Sequence, residues 1–465
     1  MEDFTAVILA AGEGTRMKSD LPKVLHKVCG LPILTHVINA ARHAGANKII
    51  VVVGKDAEKI KETYANKDVE FIVQKEQKGT GHALMQAQSA VKGSTHFVVL
   101  YGDMPMITAE NIEKMACFHR EQNANATVMT AKVADPTGYG RIIREGGRVL
   151  DIREHKDANR QEMAINEINA GFYCFDTSSV FSALSKVGNN NRQGEYYLTD
   201  VVKILNQEGK KVVAFELENP EELHGINNRR QLAEVQSIMQ KKIIDGWMDE
   251  GVTFINPGTC MVDCEVKIGR DTTIYPGVIL EGKTRIGEGC TIIGPSRIKD
   301  TVVGDCCEIS MSQIDECILE EGVKIGPYSN LRPGCKLSSK VKVGDFVELK
   351  NSKVGEGTKI PHLSYVGDAV LGKHINIGAG VIFVNYDGYK KHQTVVQDNA
   401  FIGCNSNLVA PVTVKAGSYV AAGSTITKEV PEDSLAIARA RQENKIGWAA
   451  TRNNNLKGGV EVDGK

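Results

Sequence analysis

The chain has 465 residues, of which 42% are apolar and 24% are charged, so it is long enough for two or three globular domains. Its 56 basic and 57 acidic side chains give a formal net charge of −1, which argues against a nucleic-acid or membrane-surface partner. The apolar run at 4–11 is short and lacks a basic leader, so we expect neither a membrane span nor a signal peptide. Eleven cysteines without framework spacing favour free thiols in a reducing cytosol over a zinc site or a disulfide scaffold.

Residues 1–228 alternate short apolar runs with helix-like segments. The runs at 6–11, 49–53 and 97–101 are continuous, as in strands that helices cover on both faces. Segments such as 32–44 and 81–91, which lie between the runs, are typical of helices. The pattern predicts an open, doubly wound, Rossmann-like α/β domain over 1–228.

The first apolar run ends in a glycine-rich turn, Gly12-Glu13-Gly14, and Arg16 and Lys23 follow. Glycines let the backbone approach a ligand closely, and the two cations can face phosphate oxygens. The turn is neither a Rossmann fingerprint nor a Walker loop, because no Gly-x-x-Gly and no Gly-Lys-Ser/Thr follows. We interpret it as a phosphate-binding turn rather than an ordinary strand-to-helix connection.

A carboxylate, Asp103, follows the apolar run at 97–101. The carboxyl end of a strand borders the ligand crevice in an open α/β sheet, and an oxygen ligand beside phosphates suits Mg²⁺. A helix cap is the alternative role for this residue. Gln74, Gly79 and Thr80 lie in a polar loop that could contact a base or a ribose.

From 229 to 250 apolar residues recur at three- and four-residue steps and form one stripe along a helix. The stripe consists of Leu232, Val235, Met239, Ile243 and Trp247. Asn227 and Asn228 offer an N-cap and Gly251 a stop, so we predict a linker helix over 229–250.

From 251 onward the spacing of aliphatic residues becomes six. The longest series is Ile268, Ile274, Leu280, Ile286, Ile292 and Ile298. This period predicts a solenoid of hexapeptide repeats, a left-handed parallel β-helix, over 251–465. Residues 383–399 interrupt the repeat and predict an inserted loop, and we expect the polar tail 453–465 to be disordered.

The segments 9–23 and 101–103 resemble the sugar-nucleotide pyrophosphorylases. Together with the hexapeptide repeats, residues 3 to about 448 resemble the bifunctional bacterial enzymes that are both N-acetylglucosamine-1-phosphate uridyltransferase and glucosamine-1-phosphate N-acetyltransferase. The resemblance implies that the solenoid acetylates glucosamine 1-phosphate with acetyl-CoA, and that the first domain joins the product to UTP and releases pyrophosphate. UDP-N-acetylglucosamine made in this way would feed peptidoglycan, lipopolysaccharide or other cell-wall precursors. A cytoplasmic homotrimer with its acetyl-transfer site between subunits is also implied.

The resemblance implies a nucleotide-sugar site in which Asp103 and Asn227 hold Mg²⁺, while Arg16 and Lys23 neutralise phosphate charge. No covalent protein intermediate is needed, because the sugar phosphate can attack the α-phosphorus of UTP directly. Its other uridine-nucleotide contacts would be Leu9, Ala10, Ala11, Gly12, Gln74, Gly79, Thr80, Tyr101 and Gly102, and its sugar contacts Gly140, Glu154, Asn169 and Asn227.

In the solenoid the resemblance makes His362 the general base that takes a proton from the attacking amine. Glu348 is a candidate for orienting His362 or the substrate. Cys404 stands where some relatives carry Ser, which puts a hydroxyl role in doubt and predicts thiol-sensitive acetyl transfer. The implied sugar-phosphate contacts are Arg332, Lys350, Tyr365 and Asn376, and the implied acetyl-CoA contacts are Ala379, Asn385, Tyr386, Cys404, Ala422 and Arg439.

Two other functions stay open on the sequence alone. One is a monofunctional sugar-1-phosphate nucleotidyltransferase with a structural, trimerising solenoid, and His362 with Asn385-Tyr386 argues against it. The other is a non-catalytic scaffold that binds sugar nucleotides. Asp103 and Lys23 argue against the scaffold, since binding alone does not need a metal aligned on the α-phosphate.

Overall fold

The computed structural model describes residues 4–65 and 67–457, which divide into two compact units. The first unit comprises Met1–Gly246 and Val262–Cys264, and the second comprises Trp247–Met261 and Glu265–Lys465. Within the described ranges no helix has the length and apolar character needed to cross a membrane.

The first unit is built on a nine-stranded mixed sheet. The strands of this unit, including a separate two-stranded ribbon of β2 and β3, are β1 Phe4–Ala10, β2 Lys27–Val28, β3 Leu31–Pro32, β4 Ala46–Val53, β5 Glu70–Val73, β6 His96–Tyr101, β7 Ala126–Lys132, β8 Arg141–Glu145, β9 Arg148–Arg153, β10 Glu167–Asp176 and β11 Val212–Glu216. The main path of the nine-stranded sheet has the order β11-β7-β10-β6-β1-β4-β5, and the β8–β9 hairpin joins it through β10.

The predicted open, Rossmann-like α/β fold is confirmed, although the sheet is not wholly parallel. Strand β10 runs antiparallel to both β6 and β7. A continuous apolar run indicates burial on both faces, and it is the same for central strands of either direction. The sequence pattern therefore could not reveal the reversal.

Helices cover both faces of this sheet and close two apolar cores. In β1, Ala6 and Ile8 face one core, while Val7 and Leu9 face the other. The helices are α1 Ile33–His43, α2 Ala57–Thr63, α3 Thr80–Gln86, α4 Ala109–Glu121, α5 Thr177–Leu184, α6 Asp200–Gln207 and α7 Arg229–Asp249.

Helix α7 occupies the segment in which the apolar stripe predicts a helix. Asn228 caps it, because its Oδ1 accepts the backbone N–H groups of Arg230 at 2.9 Å and Gln231 at 3.0 Å. Val235 and Ile244 are its buried residues. Position 244 is not in the predicted stripe, because the stripe drifts around a helix this long.

The second unit is a left-handed parallel β-helix, as the six-residue period predicts. Each coil contributes one strand to each of three parallel sheets, which we call faces A, B and C. Face A has the strands Thr253–Phe254, Thr273–Ile274, Thr291–Ile293, Glu308–Ser310, Lys324–Ile325, Lys342–Asp345, Lys359–His362, Asn376–Ile377, Phe401–Ile402, Tyr419–Val420 and Leu435–Ala436. Face B has Met261–Val262, Ile279–Glu281, Arg297–Lys299, Gln313–Asp315, Asn330–Leu331, Glu348–Lys350, Tyr365–Gly367, Ile382–Val384, Asn407–Val409 and Thr425–Ile426. Face C has Lys267–Ile268, Arg285–Ile286, Val302–Val303, Ile318–Leu319, Lys336–Leu337, Lys353–Val354, Ala369–Leu371, Thr394–Val396 and Val412–Val414.

The aliphatic residues of the hexapeptide series fill the interior of the solenoid. All six members of the longest series, from Ile268 to Ile298, are buried. Some polar interior positions bond to the next coil: the hydroxyl of Thr272 donates to the carbonyl of Gly287 and accepts the backbone N–H of Cys290. All eleven cysteines of the chain are free thiols, and seven of them are buried.

Two local predictions in the second half were wrong. The interruption predicted over 383–399 is shorter, because Phe383 fills an interior position and Thr394–Val396 forms a strand of face C. Only the segment between the strands Ile382–Val384 and Thr394–Val396 is an insertion. The helix α8, Trp448–Lys457, covers the first residues of the tail that we expected to be disordered. Alanines 449 and 450 favour a helix there, and residues 458–465 lie outside the described part of the chain.

Candidate active sites

A cavity of about 610 Å³ opens at the carboxyl ends of β1, β5 and β6. Its volume is in the range of small-molecule sites, and the cavity lies where an open α/β sheet holds its ligands. Ten residues that the sequence assigned to the nucleotide-sugar site line it: Leu9, Ala10, Ala11, Gly12, Lys23, Gln74, Gly79, Thr80, Tyr101 and Asp103.

One ammonium group links the residues expected to hold Mg²⁺. The Nζ of Lys23 donates to Oδ2 of Asp103 at 2.6 Å and to Oδ1 of Asn227 at 3.1 Å. Arg16 donates to the same Asn227 oxygen at 3.0 Å. The structure therefore brings together two cations and two hard oxygen ligands from three distant parts of the chain.

The glycine-rich turn brings Lys23 to this position. Gly14 has a φ of +64°, and a Cβ added to it would lie only 2.7 Å from Cβ of Lys23. A side chain at position 14 would therefore strain the backbone and push Lys23 away. Gly102 packs against the end of β1, where its N–H donates to the carbonyl of Leu9 at 2.9 Å.

Three of the four predicted sugar contacts form a second group that does not line the cavity, while the fourth, Asn227, lies in the Lys23 cluster. A Cβ on Gly140 would lie 3.6 Å from Cβ of Asn169 and 3.7 Å from Oε1 of Glu154, so these three residues are adjacent. Burial raises the pKa of Glu154, and the hydrogen bond from Thr199 at 3.1 Å opposes that shift. The carboxyl of Glu154 is also one of the groups that raise the pKa of Tyr101, after burial. Tyr101 therefore lies in the cavity wall and close to Glu154.

Sequence reasoning missed part of the cavity wall. The additional lining residues are Glu13, Val24, Gln77, Ala83 and Glu195. Most of them neighbour predicted residues in the chain, but Glu195 does not. The N–H of Tyr196, next to it, donates to the carbonyl of Lys78 at 2.8 Å, and no local sequence pattern signals that pairing.

In the second unit, His362 lies at the corner between faces A and B, which we call the AB corner. Asp345 lies on the preceding coil at the same register, and its Oδ1 is 2.5 Å from Nδ1 of His362. The hydrogen bond with His362 is the main cause that lowers the pKa of Asp345. A carboxylate on Nδ1 leaves Nε2 of the neutral imidazole as the proton acceptor. Asp345 is a functional candidate that the sequence analysis did not name.

The AB corner continues through most of the predicted acetyl-CoA contacts. Ala379, Cys404 and Ala422 follow one another on successive coils. The N–H of Asn405 donates to the carbonyl of Ala379, and the N–H of Gly423 donates to the carbonyl of Cys404. A Cβ on Gly423 would lie 3.8 Å from Cδ of Arg439. These residues extend the line that starts at Asp345.

Cationic residues gather at the far side of face B. Lys350 and Arg332 lie on adjacent coils, and the ammonium of Lys391 beside Lys350 is the main cause that lowers the pKa of Lys350. Three neighbouring cations are an arrangement that attracts anions such as phosphate. Lys391 was not among the predicted residues. Glu348, the candidate for orienting His362, instead accepts from Arg332 at 3.0 Å.

Three predicted residues lie away from the AB corner. Asn385 donates to Asp368 at 2.6 Å and to the hydroxyl of Tyr365 at 3.3 Å, so it and Tyr386 lie at the corner after face B. Asn376 lies in a strand of face A, where it pairs with Phe401 of the next coil. One chain therefore does not bring Asn376 to the cations of face B, nor Asn385 and Tyr386 to the acetyl-CoA corner.

Comparison with known proteins supplies the remaining observation. A model of the nucleotidyl transferase family matches residues 5–253. A protein of Alkaliphilus metalliredigens named bifunctional protein GlmU is 50% identical over 448 residues, which cover 96% of this chain and 98% of that protein. The protein of the same name from Listeria monocytogenes is 49% identical over 452 residues, 97% of this chain and 99% of its own. A solved structure of UDP-glucose pyrophosphorylase complexed with UDP-glucose covers 52% of this chain and 100% of its own, with 21% identity and a TM-score of 0.43.

Proposed function

The chain belongs to the family of the bifunctional GlmU proteins, and from this premise we propose how its two units divide the synthesis of UDP-N-acetylglucosamine. The second unit transfers an acetyl group from acetyl-CoA to glucosamine 1-phosphate. The first unit then transfers the uridylyl group of UTP to N-acetylglucosamine 1-phosphate and releases pyrophosphate. A purely structural solenoid does not account for the hydrogen-bonded pair of Asp345 and His362.

The observation that carries the uridylyl transfer is the cluster around Nζ of Lys23. The phosphate oxygen of the sugar phosphate attacks the α-phosphorus of UTP, and the bond from that phosphorus to pyrophosphate breaks. Lys23 and Arg16 neutralise charge on the phosphates, which is the main task in a substitution of this kind. The sugar lies against Glu154 and Asn169, next to Tyr101.

The residues at this site fit Mg²⁺. Asp103 and Asn227 both present oxygen atoms within hydrogen-bonding distance of one nitrogen, so a single small cation can reach both. Carboxylate and amide oxygens, completed by phosphates and water, are the ligands that Mg²⁺ takes. Bound there, the ion would neutralise phosphate oxygens and align them for substitution.

The observation that carries the acetyl transfer is the 2.5 Å contact between Asp345 and His362. The amine of glucosamine 1-phosphate attacks the thioester carbonyl, the carbon–sulfur bond breaks, and coenzyme A leaves. Nε2 of His362 takes the proton that the amine loses. Asp345 holds the ring in the required tautomer and stabilises the imidazolium that forms.

The spacing of residues along one strand of face B matches the size of the sugar phosphate. Glu348 and Lys350 occupy the first and third positions of one strand and point outward, because Leu349 between them is buried. Two residues along a strand span about 7 Å. A phosphate held by Lys350, Arg332 and Lys391 therefore leaves the sugar amine at the His362 end of the face.

We further propose that the enzyme is a cytoplasmic homotrimer with an acetyl-transfer site completed by a neighbouring chain. The division of the implied contacts between two corners of one solenoid supports this arrangement. Asn385 and Tyr386 of one chain would then face the AB corner of another. Mg²⁺ and the trimer are both open to direct measurement, by titration with metal chelators and by light scattering.

Separate half-reactions test the proposal. N-acetylglucosamine 1-phosphate, UTP and Mg²⁺ should yield pyrophosphate without acetyl-CoA. Glucosamine 1-phosphate and acetyl-CoA should yield free coenzyme A without UTP. Release of pyrophosphate alone would favour the monofunctional alternative, and release of neither product would refute the proposal.

A further inference from the structure

The side chain of Gln74, at the end of β5, is held from several directions. It is only 2% exposed, and its backbone N–H donates to the carbonyl of Val53 at 2.8 Å. Its amide nitrogen Nε2 donates to the carbonyl of Gly79 at 3.2 Å and lies 2.9 Å from Nδ1 of His82. Gln74 therefore has one amide orientation in a wall of the nucleotide cavity.

The chemistry of the two partners determines which amide atom faces the ligand. The carbonyl of Gly79 can only accept a hydrogen bond, so the atom of Gln74 beside it must be the NH₂ group. The second N–H of that group points at Nδ1 of His82, which accepts it when that nitrogen is unprotonated. Both amide hydrogens are then used, and Oε1 is the atom of Gln74 left for a ligand.

We propose that His82 is a positioning residue that makes the nucleotide site select uracil over cytosine. Uracil carries a hydrogen on N3 and can donate it to Oε1 of Gln74. Cytosine has a lone pair on N3, so the same oxygen repels it. This inference rests on the proposed function, in which the base of UTP lies against Gln74.

Neighbouring side chains also hold His82. It lies half-buried in the first turn of α3, its ring centroid is 6.3 Å from that of Tyr196, and the side chain of Gln86 lies beside the other edge of the ring. The ring therefore cannot turn freely away from Gln74. If His82 were removed, only the carbonyl of Gly79, among the contacts described above, would keep the side-chain amide of Gln74 from rotating by 180°.

A pair of variants separates positioning from packing. In His82→Asn, the side-chain oxygen stands near the former Nδ1 and can still accept from Gln74, whereas His82→Leu cannot. We measure kcat/KM for UTP, CTP and 5-methyl-UTP, which has the same N3–H as uracil. One lost hydrogen bond should lower the UTP/CTP ratio about tenfold in His82→Leu, with wild-type selectivity retained in His82→Asn. The ratio of UTP to 5-methyl-UTP should stay unchanged in both.

Two results would overturn the proposal. One is an unaltered UTP/CTP ratio in a His82→Leu protein whose first unit is folded, as shown by its continued turnover of UTP. The other is an equal loss of selectivity in both variants, which would indicate packing instead. Gln74→Leu tests the premise separately: it should lower kcat/KM for UTP, and an unaffected value would mean that the base does not lie there at all.

Discussion

The two candidate sites differ in how much of the protein surrounds them. The side chains of Lys23 and Asp103 in the first unit are 11% and 23% exposed, whereas those of His362 and Asp345 in the solenoid are 56% and 36% exposed. The cavity collects its parts from distant segments of one chain. The solenoid site is an open corner, because every side chain outside a β-helix core projects from its surface.

This contrast has an energetic meaning. Charged contacts in a partly enclosed cavity are screened less than those on an open corner, so single substitutions should cost more in the first unit. An open corner has to gain its shielding from the substrates and from a further surface. We therefore expect the enclosed site to work in a single chain, and we expect the solenoid site to depend on the proposed trimer.

The largest effect is expected at the enclosed site. Asp103→Ala removes a carboxylate beside Lys23 and should lower uridylyl transfer about a thousandfold or more, since metal binding contributes several kcal/mol. Pyrophosphate release measures it. Acetyl transfer in the same protein should stay at the wild-type rate, and loss of both activities in a folded variant would contradict two independent sites.

The general base of the solenoid should come next. His362→Ala should lower acetyl transfer about a hundredfold to a thousandfold, because no other group takes the proton from the amine. Release of coenzyme A is followed with a thiol reagent, and uridylyl transfer serves as the control. Near-normal acetylation by this variant would remove the role assigned to His362.

Asp345 should matter less than His362, because it acts through the ring. Asp345→Ala should lower kcat for acetyl transfer about tenfold to a hundredfold, with little change in KM for either substrate. Asp345→Asn keeps an oxygen that can accept from Nδ1 and should retain more activity than the alanine variant. A rise in KM as large as the fall in kcat would instead indicate that Asp345 contacts the substrate.

Lys391 should affect binding more than chemistry. Lys391→Ala removes one of three cations at the proposed phosphate site and should raise KM for glucosamine 1-phosphate about fivefold to tenfold. Lys390→Ala, on the same loop, is the matched control and should leave KM unchanged. High salt should narrow the difference between the two variants, and a KM that Lys391→Ala does not alter would exclude it from the site.

The smallest effect concerns the exposed thiol at the AB corner. Cys404→Ser should change acetyl transfer less than about twofold, since neither residue is a nucleophile in this reaction. The same substitution should protect the enzyme from alkylating reagents, whereas Cys306→Ser, at another exposed thiol, should not. Equal sensitivity of both variants would place the reactive cysteine elsewhere.

The sequence predicted the fold well because its periods are properties of local geometry. A six-residue spacing of aliphatics and a 3.6-residue stripe need no knowledge of distant contacts. The reversal of β10 and the pairing of Glu195 with the cavity depend on which segments meet in three dimensions. No local pattern records those contacts.

The carboxylate partner of His362 was predictable in principle. Most coils of the solenoid have 16 to 18 residues, and Asp345 lies 17 residues before His362. The same reasoning excludes Glu348, which lies 14 residues before it and pairs with Arg332 instead. Counting along the coil would thus have found Asp345, whereas Lys391 depends on how an insertion folds.

A mixing experiment tests the central claim that one chain carries two separate sites. Purified Asp103→Ala and His362→Ala proteins are each given glucosamine 1-phosphate, acetyl-CoA, UTP and Mg²⁺, and UDP-N-acetylglucosamine is measured. We predict almost no product from either variant alone and sustained synthesis from their mixture, because N-acetylglucosamine 1-phosphate made by one protein is used by the other. A mixture as inactive as its separate components would contradict the account.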